Sequence, residues 1–294
     1  MKKKKIMNTW EGYVFLIPWF LGLLAFTIIP MIMSLYLSFT RYDMATDPRW
    51  LGLGNYVTML SDKRVHKSLQ VTFTYVALSI PFQLAFALLL AAVLKKNRRG
   101  VRVYRAIYYL PSLFGGSVAV ALLWRQIFNK EGIINQFLSI FGIEGKNWIA
   151  SPGTAIYTLV ILAIWQFGSS MVIFLGGLKQ ISMDYYEAAS IDGAGKVRLF
   201  RSITLPLLTP MVFFNLVMTI IGAFQAFTPS YIISNGTGSP VDSTLFYTLY
   251  LYIKGFRQFE MGYASAMAWV LLVIIALVTA VMFGIAKKWV YYDE

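Results

Sequence analysis

Six stretches of this chain, at about 13–40, 69–94, 107–128, 154–178, 207–233 and 261–286, each run for more than twenty residues, and Arg125 is the one charge they contain. About twenty apolar residues in a helix cross the hydrocarbon core of a bilayer. Backbone N–H and C=O groups find no water there, so a spanning run must satisfy them internally, as a helix or a closed barrel, and unbroken apolar runs of this length suit helices. The sequence therefore predicts an all-α, polytopic membrane protein with six transmembrane helices. Charged residues make up 13% of the chain, about half the share typical of soluble domains. The first run is about twice the length of a secretory apolar region, and no small-residue cleavage site follows a short one, so it reads as an uncleaved span.

These runs divide the chain into a basic terminus at 1–12, a six-helix domain at 13–286 with a folded loop at 179–206, and a short tail at 287–294. Six crossings put both ends on one side. Segments 2–5, 95–105, 179–201 and 287–288 hold 16 Lys and Arg, and the loops of the opposite side hold 10. That bias predicts that both termini and the 179–206 loop are cytoplasmic. The formal charge of +13 is then a matter of topology, and without a soluble basic domain it does not indicate nucleic acid. Trp10, Trp19, Trp50, Trp124, Trp148 and Trp289 fall near span ends, where indoles anchor helices at the interface.

The loop from Asp184 to Pro210 reads as helix, glycine turn, helix, proline. Asp184 as N-cap with Glu187 three residues on has capping-box spacing, and Ala188 and Ala189 are strong helix formers. Gly193 and Gly195 are expected at positive φ, a second helix is expected from Lys196 to about Ile203, and Pro206 is expected to stop it. The order Glu187-Ala188-Ala189, Asp192-Gly193-Ala194, Phe200, Ile203, Leu205, Pro206 resembles the EAA loop of binding-protein-dependent ABC importer permeases, in particular the maltose-permease-like, sugar-uptake branch. The likeness continues in LSFTRYD with GLGNY at 37–56, in the phrase at 110–129, and in 224–240, 243–245 and 262–267. Some maltose-type permeases insert a soluble domain where this chain has only the short loop 41–68.

The resemblance implies that Glu187, Ala188, Ala189, Asp192, Gly193, Phe200 and Pro206 belong to an ATPase-coupling loop. It implies a bacterial inner (cytoplasmic) membrane complex with a second, homologous permease, two ATPase subunits and an extracytoplasmic sugar-binding protein, carrying a sugar or oligosaccharide. ATP and Mg would sit on the ATPase subunits. Consistent with that, neither Gly195-Lys196 nor Gly145-Lys146 completes a Walker A loop, since Ser190 and Ile140 stand where its first glycine is needed. There is no cysteine and only one histidine, His66, so no thiolate or histidine metal cluster is available. No zinc-protease pair or serine-nucleophile elbow is present, so no catalytic residue is assigned and an enzyme is not expected.

On the fifth run Asn215, Thr219, Gly222 and Gln225 share one helical stripe that ends near Phe227 and Tyr231. Amides and hydroxyls beside aromatic rings suit a sugar, whose hydroxyls need donors and acceptors and whose C–H faces stack on rings. Gln166 and Gln83 are candidates for the same cavity. Hydrogen bonding between helices is the competing role for these residues. An ion-coupled carrier working without an ATPase is the alternative function. It would need an intramembrane carboxylate, and all thirteen acidic residues lie in loops or at span ends.

Overall fold

The computed structural model describes residues 9–96 and 99–291, with side chains from Tyr13 onward. The lysines at 2–5, Arg98, the end at 292–294 and the side chain of Trp10 lie outside the described residues. In chain order the elements are α1 (Thr9–Leu23), a π turn (Leu24–Ile28), α2 (Ile29–Ser38), β1 (Thr40–Arg41), β2 (Arg49–Trp50), α3 (Gly54–Ser61), α4 (Lys63–Leu94), α5 (Val101–Leu113), α6 (Val118–Ile127) and α7 (Ile133–Ile140). They continue with α8 (Ala155–Trp165), α9 (Gly168–Gln180), α10 (Met183–Ile191), α11 (Lys196–Leu199), a π turn (Phe200–Thr204), α12 (Leu205–Phe224), α13 (Thr228–Ile233), α14 (Tyr247–Tyr252), a third π turn (Ile253–Arg257) and α15 (Met261–Ala286).

Five of the helical stretches, 13–38, 63–94, 155–180, 196–233 and 261–286, are long and apolar enough to cross a membrane, and α5 with α6 supplies a sixth if that bent pair counts as one span. The chain divides into two compact units, residues 1–61 with 254–272 and residues 62–253 with 273–294.

In the first unit the second proline of the first span, Pro30, is passed without a break. Pro30 has no N–H, and in an α-helix its ring would meet the carbonyl of Phe26. Phe26 lies inside the π turn, and the Ile29 N–H bonds back to Leu24 O, so the wider turn removes the clash and the helix runs on to Ser38. Beyond Ser38 the chain forms a two-residue antiparallel ladder, Thr40 opposite Trp50 and Arg41 opposite Arg49, with Phe39 stacked on Trp50 at 5.7 Å. Buried Asn55 closes the end of α2: its Nδ2 donates to Ser38 O at 2.8 Å and to Thr40 O at 2.9 Å. The GLGNY phrase is thus a cap for carbonyls that the helix cannot satisfy itself.

The second unit is built around α4, which packs against α8, α9, α12 and α14. It begins at Lys63, six residues before the expected span, because Asp62 caps it by accepting from the N–H of Arg64 at 2.9 Å and of Val65 at 3.4 Å. Three expected spans are interrupted within this unit. The third, read as one helix over 107–128, is α5 and α6 meeting at 100° across Gly115-Gly116. The fourth breaks at Gln166-Phe167, and the fifth at Gln225–Phe227 ahead of Pro229. Close approach holds α9 on α5, since a Cβ at Gly168 would lie 2.6 Å from Tyr108 O and 2.8 Å from Tyr109 Cα. The loop at 129–153, read as polar, contains the amphipathic α7, with Trp148 Nε1 donating to Asn135 Oδ1 at 2.7 Å.

Candidate functional site

The three interruptions meet at one place. A cavity of about 650 Å³ is lined from α4 by Tyr75, Ser79 and Gln83, from the α5–α6 corner by Ser112 and Gly116, from the α8–α9 break by Gln166, Ser169 and Ser170, and from α12 and its end by Asn215, Thr219, Gln225 and Phe227. A helix break frees backbone N–H and C=O groups that an intact span would keep bonded to each other. Inside a membrane such backbone is tolerated where it faces a cavity or buried protein. Each break here therefore adds backbone polar groups to the amides and hydroxyls on its wall.

Six of the seven residues singled out for solute contact, Gln83, Gln166, Asn215, Thr219, Gln225 and Phe227, line this one cavity. Tyr231 does not. It stands in an aromatic cluster, its ring 5.3 Å from Phe227 and 5.5 Å from Tyr252, because α13 turns the chain after Phe227 and carries residue 231 off the α12 stripe. The amides differ in what they do. Gln83 Nε2 reaches Gln166 O at 3.5 Å, at the limit of a hydrogen bond, and so touches the carbonyl at the fourth-span break. Asn215, only 2% exposed, donates to Met211 O of its own helix at 3.1 Å, which leaves Oδ1 as its second polar atom. Gln225 caps the end of α12 and is exposed.

Sequence reading missed Tyr75, Ser79, Ser112, Ser169 and Ser170. The first two carried a signal, since Tyr75, Ser79 and Gln83 recur every fourth residue and share a helix face. The serines carried none, because a hydroxyl in a span commonly bonds its own helix, as Ser112 Oγ does to Tyr109 O at 2.7 Å. Among the residues lining the cavity none is Asp, Glu, Lys, Arg or His. The wall can offer donors, acceptors and an aromatic face, but no charged group to move a proton.

The second candidate region is the pair α10–α11. Its N-cap is Ser182, whose Oγ accepts from Asp184 N–H at 3.3 Å. Asp184 lies in the first turn and not at the cap, so Glu187 is too far along the helix to close a capping box. Gly193 turns the chain at φ +77°, as expected. Gly195 does not share that role: at φ −71° it is the extended N-cap of α11. Pro206 does not stop the second helix. The π turn Phe200–Thr204, with Leu205 N–H bonded to Phe200 O, widens the helix around Ser202, where the ring of Pro206 would clash, and the chain passes directly into α12. This is the device seen at Pro30.

Glu187, Ala188 and Asp192 are exposed, Ala189 and Pro206 are partly covered, and Phe200 is 39% exposed. Large apolar side chains on the same pair are open as well, Met183 at 65%, Ile191 at 87% and Val197 at 80%. At the far end of α4, Arg64 holds Asp242 through Nε at 2.9 Å and Nη2 at 2.7 Å, and Arg125 donates to Asn235 at 2.6 Å, which fastens the 234–243 loop.

Comparison with known proteins agrees with this architecture. The chain is 52% identical to the probable ABC transporter permease protein YesP of Bacillus subtilis (strain 168), over 100% of this chain and 96% of that protein. It is 30% identical to the lactose transport system permease protein LacF of Rhizobium radiobacter, over 95% of this chain and 94% of the other. It is 33% identical to the arabinooligosaccharides transport system permease protein AraP of Bacillus subtilis (strain 168), over 92% and 86%. Its fold matches a chain of the bacterial alginate ABC transporter solved with an alginate pentasaccharide-bound periplasmic protein, with a TM-score of 0.82 at 22% identity, covering 95% of this chain and 94% of that one. Residues 51–290 match the family described as binding-protein-dependent transport system inner membrane component, and the chain belongs to that family.

Proposed function

We propose that this chain is the membrane permease subunit of an ATP-binding-cassette importer that carries a sugar or oligosaccharide delivered by an extracytoplasmic binding protein. The observation that carries the reading is the convergence of three broken helices on one cavity whose lining sets amides, hydroxyls and aromatic rings among apolar side chains. Solute sites in transporters lie where discontinuous helices expose backbone groups near the middle of the bilayer. Gln83, Gln166, Asn215, Thr219 and Gln225 supply donors and acceptors for sugar hydroxyls, and Phe227 a face for ring C–H groups. The sugar class draws support from relatives named for lactose and arabinooligosaccharide transport.

ATP with its Mg is bound by two separate ATPase subunits. The α10–α11 pair, with Glu187, Ala188, Ala189, Asp192 and Gly193, is the surface that docks on one of them, and a second, homologous permease completes the pathway. Exposed Met183, Ile191 and Val197 support docking, since apolar side chains grouped on a surface mark an interface. Both termini and this pair are cytoplasmic. ATP closes the ATPase dimer, the docked helices move with it, and the permease pair opens outward to take solute.

Purification of the complex from its native host through a tag on this chain tests the reading. A second permease and an ATPase are expected to co-purify, with hydrolysis stimulated by sugar-loaded binding protein. Recovery of the chain alone, active in sugar uptake without ATP, would overturn it. One-sided reporter tags at Glu294 and in the 234–243 loop are expected to report opposite faces, and the same face for both would break the topology.

A further inference from the structure

Movement of the docked helix pair has to reach the cavity walls, and the peptide links on either side of α10 are poorly suited to deliver it. Residues 181–182 are a short extended connection, and Gly193 is a turn. On α10 itself the less exposed positions are Tyr186 and Ala189, three residues apart on one face, while Met183, Glu187 and Ser190 stand open. Ala189 has no polar atom in its side chain. Tyr186 therefore carries the specific contacts of this face.

Those contacts reach two other helices. The Lys95 ammonium lies 4.6 Å above the Tyr186 ring, with Nζ 3.4 Å from its hydroxyl. Lys95 directly follows the last residue of α4, and Arg105 of α5 closes that end by donating from Nε to Leu94 O at 3.2 Å. The Tyr186 hydroxyl is also 3.0 Å from Oγ1 of Thr204, a buried residue at the end of the π turn that leads into α12. One side chain thus joins α10 to the cytoplasmic ends of α4 and α12. At 1.5 Å per residue, Gln83 lies about 18 Å along α4 from Lys95, and Asn215 about 16 Å along α12 from Thr204. Both helices reach the cavity wall, at Gln83 and at Asn215.

We propose that Tyr186 is the positioning residue that transmits motion of the docked helix to the solute cavity, its ring held by Lys95 on α4 and its hydroxyl by Thr204 ahead of α12. The inference rests on the reading of α10–α11 as the ATPase-docking surface. A clamp on α4 and α12 together moves the Tyr75-Ser79-Gln83 face and the Asn215-Thr219 face in one step. Without the hydroxyl, α10 still docks, but α12 follows it loosely.

The test uses the whole importer captured from its host and reconstituted in liposomes, with sugar uptake and ATP hydrolysis measured on the same vesicles. Tyr186→Phe keeps the ring under Lys95 and removes only the hydroxyl. It is expected to recover wild-type amounts of ATPase subunit and to hydrolyse ATP, with uptake per ATP reduced about fivefold, the factor that one neutral hydrogen bond supplies. Thr204→Val is expected to give a loss no larger than that of Tyr186→Phe, which also removes the contact from Lys95 Nζ, and the double variant no more than Tyr186→Phe alone, because both remove the one bond between the two hydroxyls. Lys95→Met is expected to lower uptake per ATP about twofold, as a partly exposed cation–π contact should, and Lys95→Arg to restore it.

Unchanged uptake per ATP in Tyr186→Phe and Thr204→Val would overturn the proposal, as would losses that multiply in the double variant. Reduced ATPase recovery at normal uptake per ATP would make Tyr186 a docking residue and overturn it equally. If the wild-type chain brings down no ATPase subunit, the docking reading itself fails, and the clamp with it, before any variant is measured.

Discussion

The cavity and the α10–α11 pair break the same rule in opposite directions. Inside apolar helices the cavity collects amides and hydroxyls from Gln83, Gln166, Asn215 and Thr219. On an exposed loop the helix pair holds Met183, Ile191 and Val197 out from the protein. A polar side chain in a span is unfavourable without a polar partner, and a large apolar group on a loop is unfavourable without an apolar one. Where a residue and its surroundings disagree, the missing partner is the functional clue. In the function proposed above, the cavity's partner is a hydroxyl-rich solute and the helix pair's is a protein surface.

The largest effect should come from the exposed apolar side. Ile191 is 87% exposed and is free to lose nearly all of that surface on docking. Burying it stabilises a complex by about 2 to 3 kcal/mol, and an Asp in its place would also bring a charge into the interface. Ile191→Asp is therefore expected to lower ATPase co-purification about thirtyfold or more, with normal membrane insertion. Full recovery of the ATPase would remove the apolar half of the comparison.

Gly193→Val acts on the same surface through the backbone. A β-branched residue at φ +77° costs about 1 to 2 kcal/mol and turns α10 relative to α11. About a tenfold loss of docking is expected, read by the same co-purification, with the protein still inserted in the membrane. In the cavity, Gln225→Leu should lower uptake by about fivefold to tenfold, the value of one or two hydrogen bonds, and leave ATPase recovery and basal hydrolysis intact. Tyr231→Phe is the control. Its ring packs outside the cavity, so uptake should stay within about twofold of wild type. If Gln225→Leu disassembles the complex instead, the amide joins helices and the polar half of the comparison fails.

Much of this was legible because bilayer physics is strict. The apolar runs located the spans, and the spacing of Asn215, Thr219 and Gln225 located one wall of the cavity. The breaks were legible only in part, since Gly115-Gly116 and Pro229 mark two of them and the third has no such mark at its own residues. Gln166-Phe167 contains neither glycine nor proline, and its helix ends there for tertiary reasons, with Gln83 from α4 placed at the freed carbonyl. One proline misled in the other direction. Pro206 reads as a stop, yet a π turn ahead of it lets the helix continue, as another does ahead of Pro30. That widening is a feature of a five-residue stretch of backbone and has no residue signature. The opposite wall of the cavity was half hidden, since Ser79 and Tyr75 look like packing residues until Gln83 is seen one turn further along the same face.

The smallest effects discriminate the two ways in which the EAA segment can act, through helix stability or through surface charge. A capping box would make Glu187 structural, so that its removal frays α10. The cap is instead Ser182, with Oγ accepting from Asp184 N–H, and Glu187 points into the open without that duty. Ser182→Ala removes a cap worth about 1 kcal/mol at the upper end for so exposed and long a bond. It is expected to loosen the start of α10, seen as faster amide hydrogen exchange at residues 184–186, and to lower ATPase recovery about threefold. Glu187→Gln is expected to leave exchange in α10 unchanged. A rim charge acts mainly on encounter rate and is screened by salt. Its effect on ATPase recovery should therefore stay within about twofold at low ionic strength and vanish at high. Faster exchange in Glu187→Gln would restore the carboxylate to a structural role, and the separation drawn here between the fold of the helix pair and its docking face would have to be given up.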